Sequence, residues 1–247
     1  MNTSIKISIA ITYILAVIAS SCVGINGKDQ IKPSGVTKIV TKEVPAFDNI
    51  EADGAIDVVV NIGNKNEVII QADSAIMPYI VTGVKDGELK IYNKDMILYN
   101  NTNNNKILVT ITTPSLLKLE SSGACDVKIN DLKTDKFKVS LSGACDLTGN
   151  FECNVLDFES SGASDAKLKG KVKNCNIELS GASEIKAFEL VANKIKIEAS
   201  GSSNIDITVE DSLDVDLSGS SELRYKGEPK SIKQSISGAS EIKKINQ

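Results

Sequence analysis

Seven side chains recur at nearly fixed spacing and could bind a cation or the hydroxyls of a sugar: Asp126, Asp146, Asp165, Glu184, Asn204, Glu222 and Glu241. All but Asn204 are carboxylates, the oxygen ligands that hard cations take. Stacked at the spacing of neighbouring strands, about 4.8 Å, two such charges repel by about 0.9 kcal/mol even in water. A strip of this kind therefore needs counter-charge. Two positions further on stand Lys128, Thr148, Lys167, Lys186, Asp206, Arg224 and Lys243. Acid and base side by side read first as a solvated, charge-paired face that fixes strand register, and second as a cation or ligand strip. The period is also about twice that of the nine-residue calcium β-roll.

Other chemistry is sparse. The chain has no His, which removes Ser-His-Asp triads, His general bases and His metal ligands. Arg224 is the sole arginine. No cofactor motif is present, and a net charge of −4 gives no basic excess for nucleic acid. Of the five cysteines, Cys125, Cys145, Cys153 and Cys175 lie in the body of the chain, with no CxxC spacing to suggest zinc. Cys125 and Cys145 hold the same place in adjacent repeats, so their Cα atoms fall within disulfide range. Ser holds that place in the other repeats, which favours two small packed thiols over a disulfide.

The elements that must position these residues follow from the repeat itself. A Ser-Gly or Ala-Ser-Gly corner recurs at Gly123, Gly143, Gly162, Gly181, Gly201, Gly219 and Gly238, at steps of 20, 19, 19, 20, 18 and 19 residues. Two, four and six positions before each Gly the residues are mostly apolar, as in Leu179, Ile177 and Cys175, and they alternate with polar ones. Alternation resumes after the Gly, where Ser183 and Ile185 face inward. Period two marks strands with one buried face. Each repeat is thus two short strands joined at a glycine corner, and a regular period of this length marks a solenoid. A lone coil cannot offset about 1–2 kcal/mol of backbone entropy per residue, so the repeats are expected to fold as an array.

Residues 36–113 carry strand patterns without the short repeat. The best strands are Val36–Glu43, Ala55–Ile62, Glu67–Ala72, Glu88–Tyr92 and Ile107–Thr112. Asp53-Gly54-Ala55 reads as a degenerate corner, making this the first coil, interrupted by an antiparallel excursion through 63–113. Tyr99 to Asn105 is a polar connector. After Gly238 the last coil is short, and its edge is a place where a second copy could pair, although Lys226, Pro229, Lys230, Lys233 and Lys243 could blunt it.

The N-terminus reads as an export signal: Lys6, a thirteen-residue apolar run from Ile7 to Ala19, then Ser20-Ser21-Cys22. The small residues before Cys22 resemble a bacterial lipobox, with Ala19 where most have Leu. On that reading residues 1–21 are removed, Cys22 carries lipid, and 22–35 form a flexible tether to one domain, 36–247, made of N-terminal strands (36–113) and seven repeats (114–247). Ordinary signal cleavage near Ser20 or Ser21 is the alternative.

The pattern as a whole resembles the head GIN domain family, described as an autotransporter adhesin and common in exported proteins of Bacteroidetes. Carrying residues are Phe47 with Ile50-Glu51-Ala52-Asp53-Gly54-Ala55-Ile56-Asp57-Val58, then Asp86-Gly87-Glu88-Leu89-Lys90-Ile91, then Val109-Thr110-Ile111-Thr112-Thr113-Pro114. Leu119 and Ser122-Gly123-Ala124-Cys125-Asp126-Val127 complete it, and the match spans about residues 36 to 245. The resemblance implies an all-β, right-handed parallel β-helix-like solenoid and no catalytic residues. The expected function is a non-catalytic binding or structural protein, an outer-membrane lipoprotein facing the periplasm or the surface. It would touch the membrane only through its anchor and meet an envelope component, glycan or protein. The alternatives are a β-helix polysaccharide lyase or hydrolase, disfavoured by evenly spread carboxylates, and an envelope sensor or assembly partner.

Metabolic labelling with a fatty acid tests the anchor. The chain is expected to label, and Cys22→Ala to lose the label; equal labelling of both rejects lipid at Cys22.

Overall fold

The computed structural model describes residues 31–94 and 106–246. The export segment, Cys22, the tether up to residue 30 and the connector from Tyr99 to Asn105 lie outside the described residues.

The chain forms a β-solenoid with about 19 residues per turn. Its strands are β1 (Thr37–Glu43), β2 (Asn49–Gly54), β3 (Ile56–Ile62), β4 (Glu67–Asp73), β5 (Ile80–Lys85), β6 (Glu88–Asn93) and β7 (Ile107–Thr113). The long stretches β8 (Lys118–Gly162), β9 (Asp165–Gly181), β10 (Glu184–Gly201) and β11 (Asn204–Leu217) follow, then β12 (Glu222–Lys226), β13 (Ser231–Ile236) and β14 (Glu241–Lys244). The backbone of β8 stays extended through two whole corners, so one strand wraps more than two coils. Pairing from β8 to β14 is parallel and steps one repeat at a time: Ile177 lies beside Phe158 and Ile197, and Val215 beside Ile197 and Gln234.

Inward columns stack into one continuous core. Val139, Phe158, Ile177, Ile197 and Val215 form one column, and Leu147, Ala166, Ile185, Ile205 and Leu223 another. Each fully buried apolar side chain contributes about 1.5–3 kcal/mol. The columns fail only at their ends. Ile232 and Ile236 are 45% and 43% exposed because no further coil covers them. At the other end Leu116, not Leu117, points inward. The chain enters this coil after Pro114-Ser115, and the amides of Leu117 and Lys118 both donate to the carbonyl of Asp48, which resets the phase by one residue.

The Ser-Gly corner is a point of close backbone approach in every coil. Gly54 and the seven repeat glycines all have positive φ. A Cβ on Gly123 would sit 2.5 Å from the carbonyl oxygen of Gly54, and each later repeat glycine meets the glycine carbonyl one coil earlier as closely or more so. That carbonyl is occupied. It accepts from the amide just after the next glycine: Ala163 to Gly143, Ala182 to Gly162, Ser202 to Gly181 and Ser220 to Gly201, each at 2.8 Å. Only glycine gives both the left-handed φ and the room for this ladder.

The segment between Ile62 and Lys118 has the expected antiparallel pairs and, beneath them, strands that join the solenoid. β6 runs parallel to β2 and β7 runs parallel to β3, so together they add a further rung under the first coil. Leu89, Ile91, Val109 and Ile111 supply its buried face, with the same alternation as the repeats. The antiparallel strands are the outer ones: β5 on β6, β4 on β7 and β1 on β4. They seal the N-terminal end.

The folded body also reaches back to Ile31, which packs on the core. Asp73, at the end of β4, gathers this segment. Its Oδ1 accepts from the amides of Ser34 (3.0 Å) and Ala75 (2.8 Å) and from the Ser34 hydroxyl, and its Oδ2 accepts from the Gly35 amide (2.8 Å). Burial would raise its pKa, but these donors outweigh burial and hold the carboxyl below its ordinary value.

Gly162→Ala, which puts a methyl against the Gly143 carbonyl at φ +112, is expected to cost about 3 kcal/mol or more in urea denaturation. Gly83→Ala, with open space around it, is expected to stay within about 1 kcal/mol of wild type. Equal effects at the two positions would reject the corner argument.

Candidate functional site

The acidic column expected from the repeat is assembled in register: Asp165, Glu184, Asn204, Glu222 and Glu241 are direct neighbours on successive strands. Asp57 of the first coil extends it, accepting from the amide of Asp126 at 3.0 Å. Its counter-charges are specific. Lys106 bridges Asp57 and Asp126 (3.1 Å each), Lys186 pairs with Glu184 (2.6 Å), and Lys243 joins Glu222 (3.2 Å) and Glu241 (2.8 Å). No ion pair among the described residues engages Asp146 or Asp165. Arg224 holds Asp206 through two 2.7 Å hydrogen bonds and lies over the Phe188 ring. Among the described residues no three Cys, Asp or Glu side chains converge closely enough to hold a metal ion. One carboxylate per coil brings too few oxygens to any one point for the six to eight that calcium takes.

A long open groove lies on the other side of the corner. It has a volume of about 710 Å³. Its walls are two columns that repeat-wise alignment also contains but that the apolar positions overshadow. Three residues before each glycine stand Glu51, Glu120, Ser140, Glu159, Glu178, Glu198 and Asp216, and one before stand Ser122, Ser142, Ser161, Ser180, Ser200 and Ser218. The corner fixes both, because the residues at these odd positions face outward on the strand that enters it. From the coil of Glu51 to that of Asp216 the groove runs across seven rungs, about 29 Å at strand spacing. No aromatic side chain lines it.

Its carboxylates are partly neutralised from the rim. Lys90 binds Glu51, Lys118 binds Glu120 (2.8 Å), Lys138 binds Glu159 (2.6 Å) and Lys196 binds Glu198 (2.6 Å). No ion pair among the described residues engages Glu178 or Asp216. The Lys138 ammonium holds the Glu159 carboxyl below its ordinary value, against a smaller opposing effect of burial, and Ser140 adds a 3.0 Å hydrogen bond. Beside it, burial pushes Asp157 up, but bonds from Lys136 (2.9 Å) and Asn176 (2.7 Å) prevail and its pKa is lowered.

The thiols lie deeper. Cys125 and Cys145 are buried in adjacent coils with their sulfurs 2.7 Å apart, and the Ser121 hydroxyl lies 2.9 Å from the Cys125 sulfur. In the same column Ser164 and Ser221 use their hydroxyls to accept from the amides of Cys145 and Ser203, at 3.3 Å each. Cys153 and Cys175 are buried free thiols, pushed up by burial to about 11 and about 12.

A parallel β-solenoid with glycine corners, antiparallel end strands and a long outward groove defines a class of repeat-built β domain. The chain belongs to the family described as "Putative auto-transporter adhesin, head GIN domain", whose profile matches residues 46–229. Solved structures agree on the fold. A "putative adhesin" from Bacteroides fragilis is 26% identical with a TM-score of 0.79, covering 87% of this chain and 100% of its own. A "putative adhesin" from Parabacteroides merdae is 19% identical, with a TM-score of 0.69 and coverage of 89% and 100%. A "putative lipid binding protein" from Parabacteroides distasonis is 22% identical, with a TM-score of 0.68 and coverage of 88% and 100%. No curated protein matches the chain.

A carboxylate held below its ordinary pKa stabilises fully above its unfolded value, and that stability is lost as pH falls through the folded one. Lys136→Met/Lys138→Met is therefore expected to lower the urea midpoint at pH 7, by a margin that shrinks as pH falls below the ordinary carboxylate values and closes once Asp157 and Glu159 are protonated in the folded protein. A midpoint gap that persists undiminished at pH 3 would reject the assignment.

Proposed function

We propose that this chain is an exported, lipid-anchored and non-catalytic binding protein of the bacterial envelope, and that it holds an extended polymer along the Glu-Ser groove. The observation that carries the reading is the groove itself: one carboxylate or hydroxyl per coil across seven coils, with a serine beside it in six of them. A site of this form suits a ligand with a repeat of its own, since each added unit meets the same pair of groups. Hydroxyl-rich glycan chains and basic peptide segments have donors for such carboxylates; acidic polymers are repelled. The lack of aromatic lining favours hydrogen bonding along the backbone of the ligand over ring stacking.

The lyase or hydrolase alternative fares worse on charge. An acidic polysaccharide needs cations at the cleavage point, and the one arginine is committed to Asp206. The family membership and the adhesin descriptions of the similar structures support the binding reading, as does the export-like N-terminus. Among the described residues β13 has only β11 as neighbour and β14 only β12, an edge on which a second copy could add. An envelope sensor built on the same groove would differ only in what lies downstream, and the neighbouring genes distinguish it.

The test compares wild type with Glu159→Gln/Glu178→Gln/Glu198→Gln on arrays of neutral and acidic glycans and in pull-downs from envelope extracts. The expected result is binding to neutral or cationic ligands that drops at least about tenfold in the triple variant, the loss of about 1.4 kcal/mol or more. Binding unchanged in the triple variant, or selective for acidic polymers, overturns the groove assignment.

A further inference from the structure

We propose that Cys125 and Cys145 are a modification site: the two thiols close to a disulfide that staples adjacent coils. Three observations converge. The sulfurs are 2.7 Å apart, in adjacent parallel coils whose backbone spacing suits a bridge. The two cysteines replace serine in neighbouring coils and nowhere else in the column, where Ser164, Ser183, Ser203, Ser221 and Ser240 follow. The serines alone favour two packed thiols; the contact between the sulfurs is what turns this pair toward a bridge.

The third observation is that the pair sits behind a surface cleft and is electrostatically coupled. Cys125 lines a small cleft of about 250 Å³ together with Asp57, Lys106, Asp126 and Asp146. The hydrogen bond that Cys145 accepts from the Cys125 thiol lowers its pKa, which favours the thiolate of the pair. Cys125, the donor of that bond, is correspondingly raised. Cys153 and Cys175 lack such a contact.

The oxidant is a disulfide, either on a thiol oxidase met outside the cytoplasm or in a small-molecule pool. One thiolate of the pair attacks a sulfur of the oxidant and expels its first thiol. The second thiolate attacks the resulting mixed disulfide and expels the other. Two protein thiols become one disulfide, the oxidant's disulfide becomes two thiols, and the two protons pass to those leaving groups.

The test uses the full-length chain purified under reducing conditions and then exposed to oxidised glutathione, so it does not depend on export. After alkylation in denaturant and peptide mapping, the expected product is a cross-link joining Cys125 to Cys145, with Cys153 and Cys175 alkylated. Oxidation is expected to raise Tm by about 5–10 °C, reversed by reductant. The double variant Cys125→Ser/Cys145→Ser is expected to fold, since serine fills this column elsewhere, and to show no redox-dependent Tm. Full alkylation of both residues after oxidation overturns the proposal. So does a cross-link to Cys153 or Cys175, or a redox-dependent Tm that persists in the double variant.

Discussion

Everything in this molecule depends on the close approach of backbones at the glycine corner. The carbonyl of one corner glycine must accept an amide hydrogen bond from the coil above while the next glycine passes directly over it. That single contact sets the axial step of the stack at the corner. It also keeps the strands on either side in register, so Ile177 meets Phe158 and Ile197 and does not slip to the polar side. The core columns and both surface columns inherit their alignment from it. A side chain at the corner would lengthen the local step and shear every column that crosses it.

The corner also explains why the surface chemistry is distributed. A residue placed three positions before or after the glycine is copied, coil by coil, into a line. Lines of carboxylate and serine suit an extended ligand, whereas catalysis concentrates different groups at one point. The serine column after the corner gives way at the pair Cys125 and Cys145, where two reactive side chains touch. Arg224, a lone guanidinium that could have served a reaction, is instead tied to Asp206.

Much of this was legible from residue order. The seven glycines, the apolar columns and the strand bounds near Glu67 and Glu88 all follow from period-two alternation and turn chemistry. Other parts were not. The phase at Leu116 and Leu117 is set by a shared carbonyl on Asp48, sixty-odd residues away, which no local pattern announces. The parallel stacking of β6 and β7 needed knowledge of which strand each would meet, since Leu89-Ile91 and Val109-Ile111 alternate equally well in either direction. The groove was present as columns of Glu and Ser, but whether an outward column lies on a flat face or in a hollow depends on the shape of the coil. Distance between the two sulfurs likewise depends on rotamers, beyond the reach of spacing alone.

The grip of Asp73 on Ser34 and Gly35 has a bearing on where the molecule sits. It fixes the chain at the end capped by β1 and β4, so only nine residue steps separate Ile31 from Cys22. At full extension they span about 32 Å. With the lipid on Cys22 as proposed, that is the greatest height the capped end can reach above a bilayer. The solenoid would stand on a short leash with its N-terminal cap toward the lipid, and the bare coil of β13 and β14 would be the part that reaches furthest out.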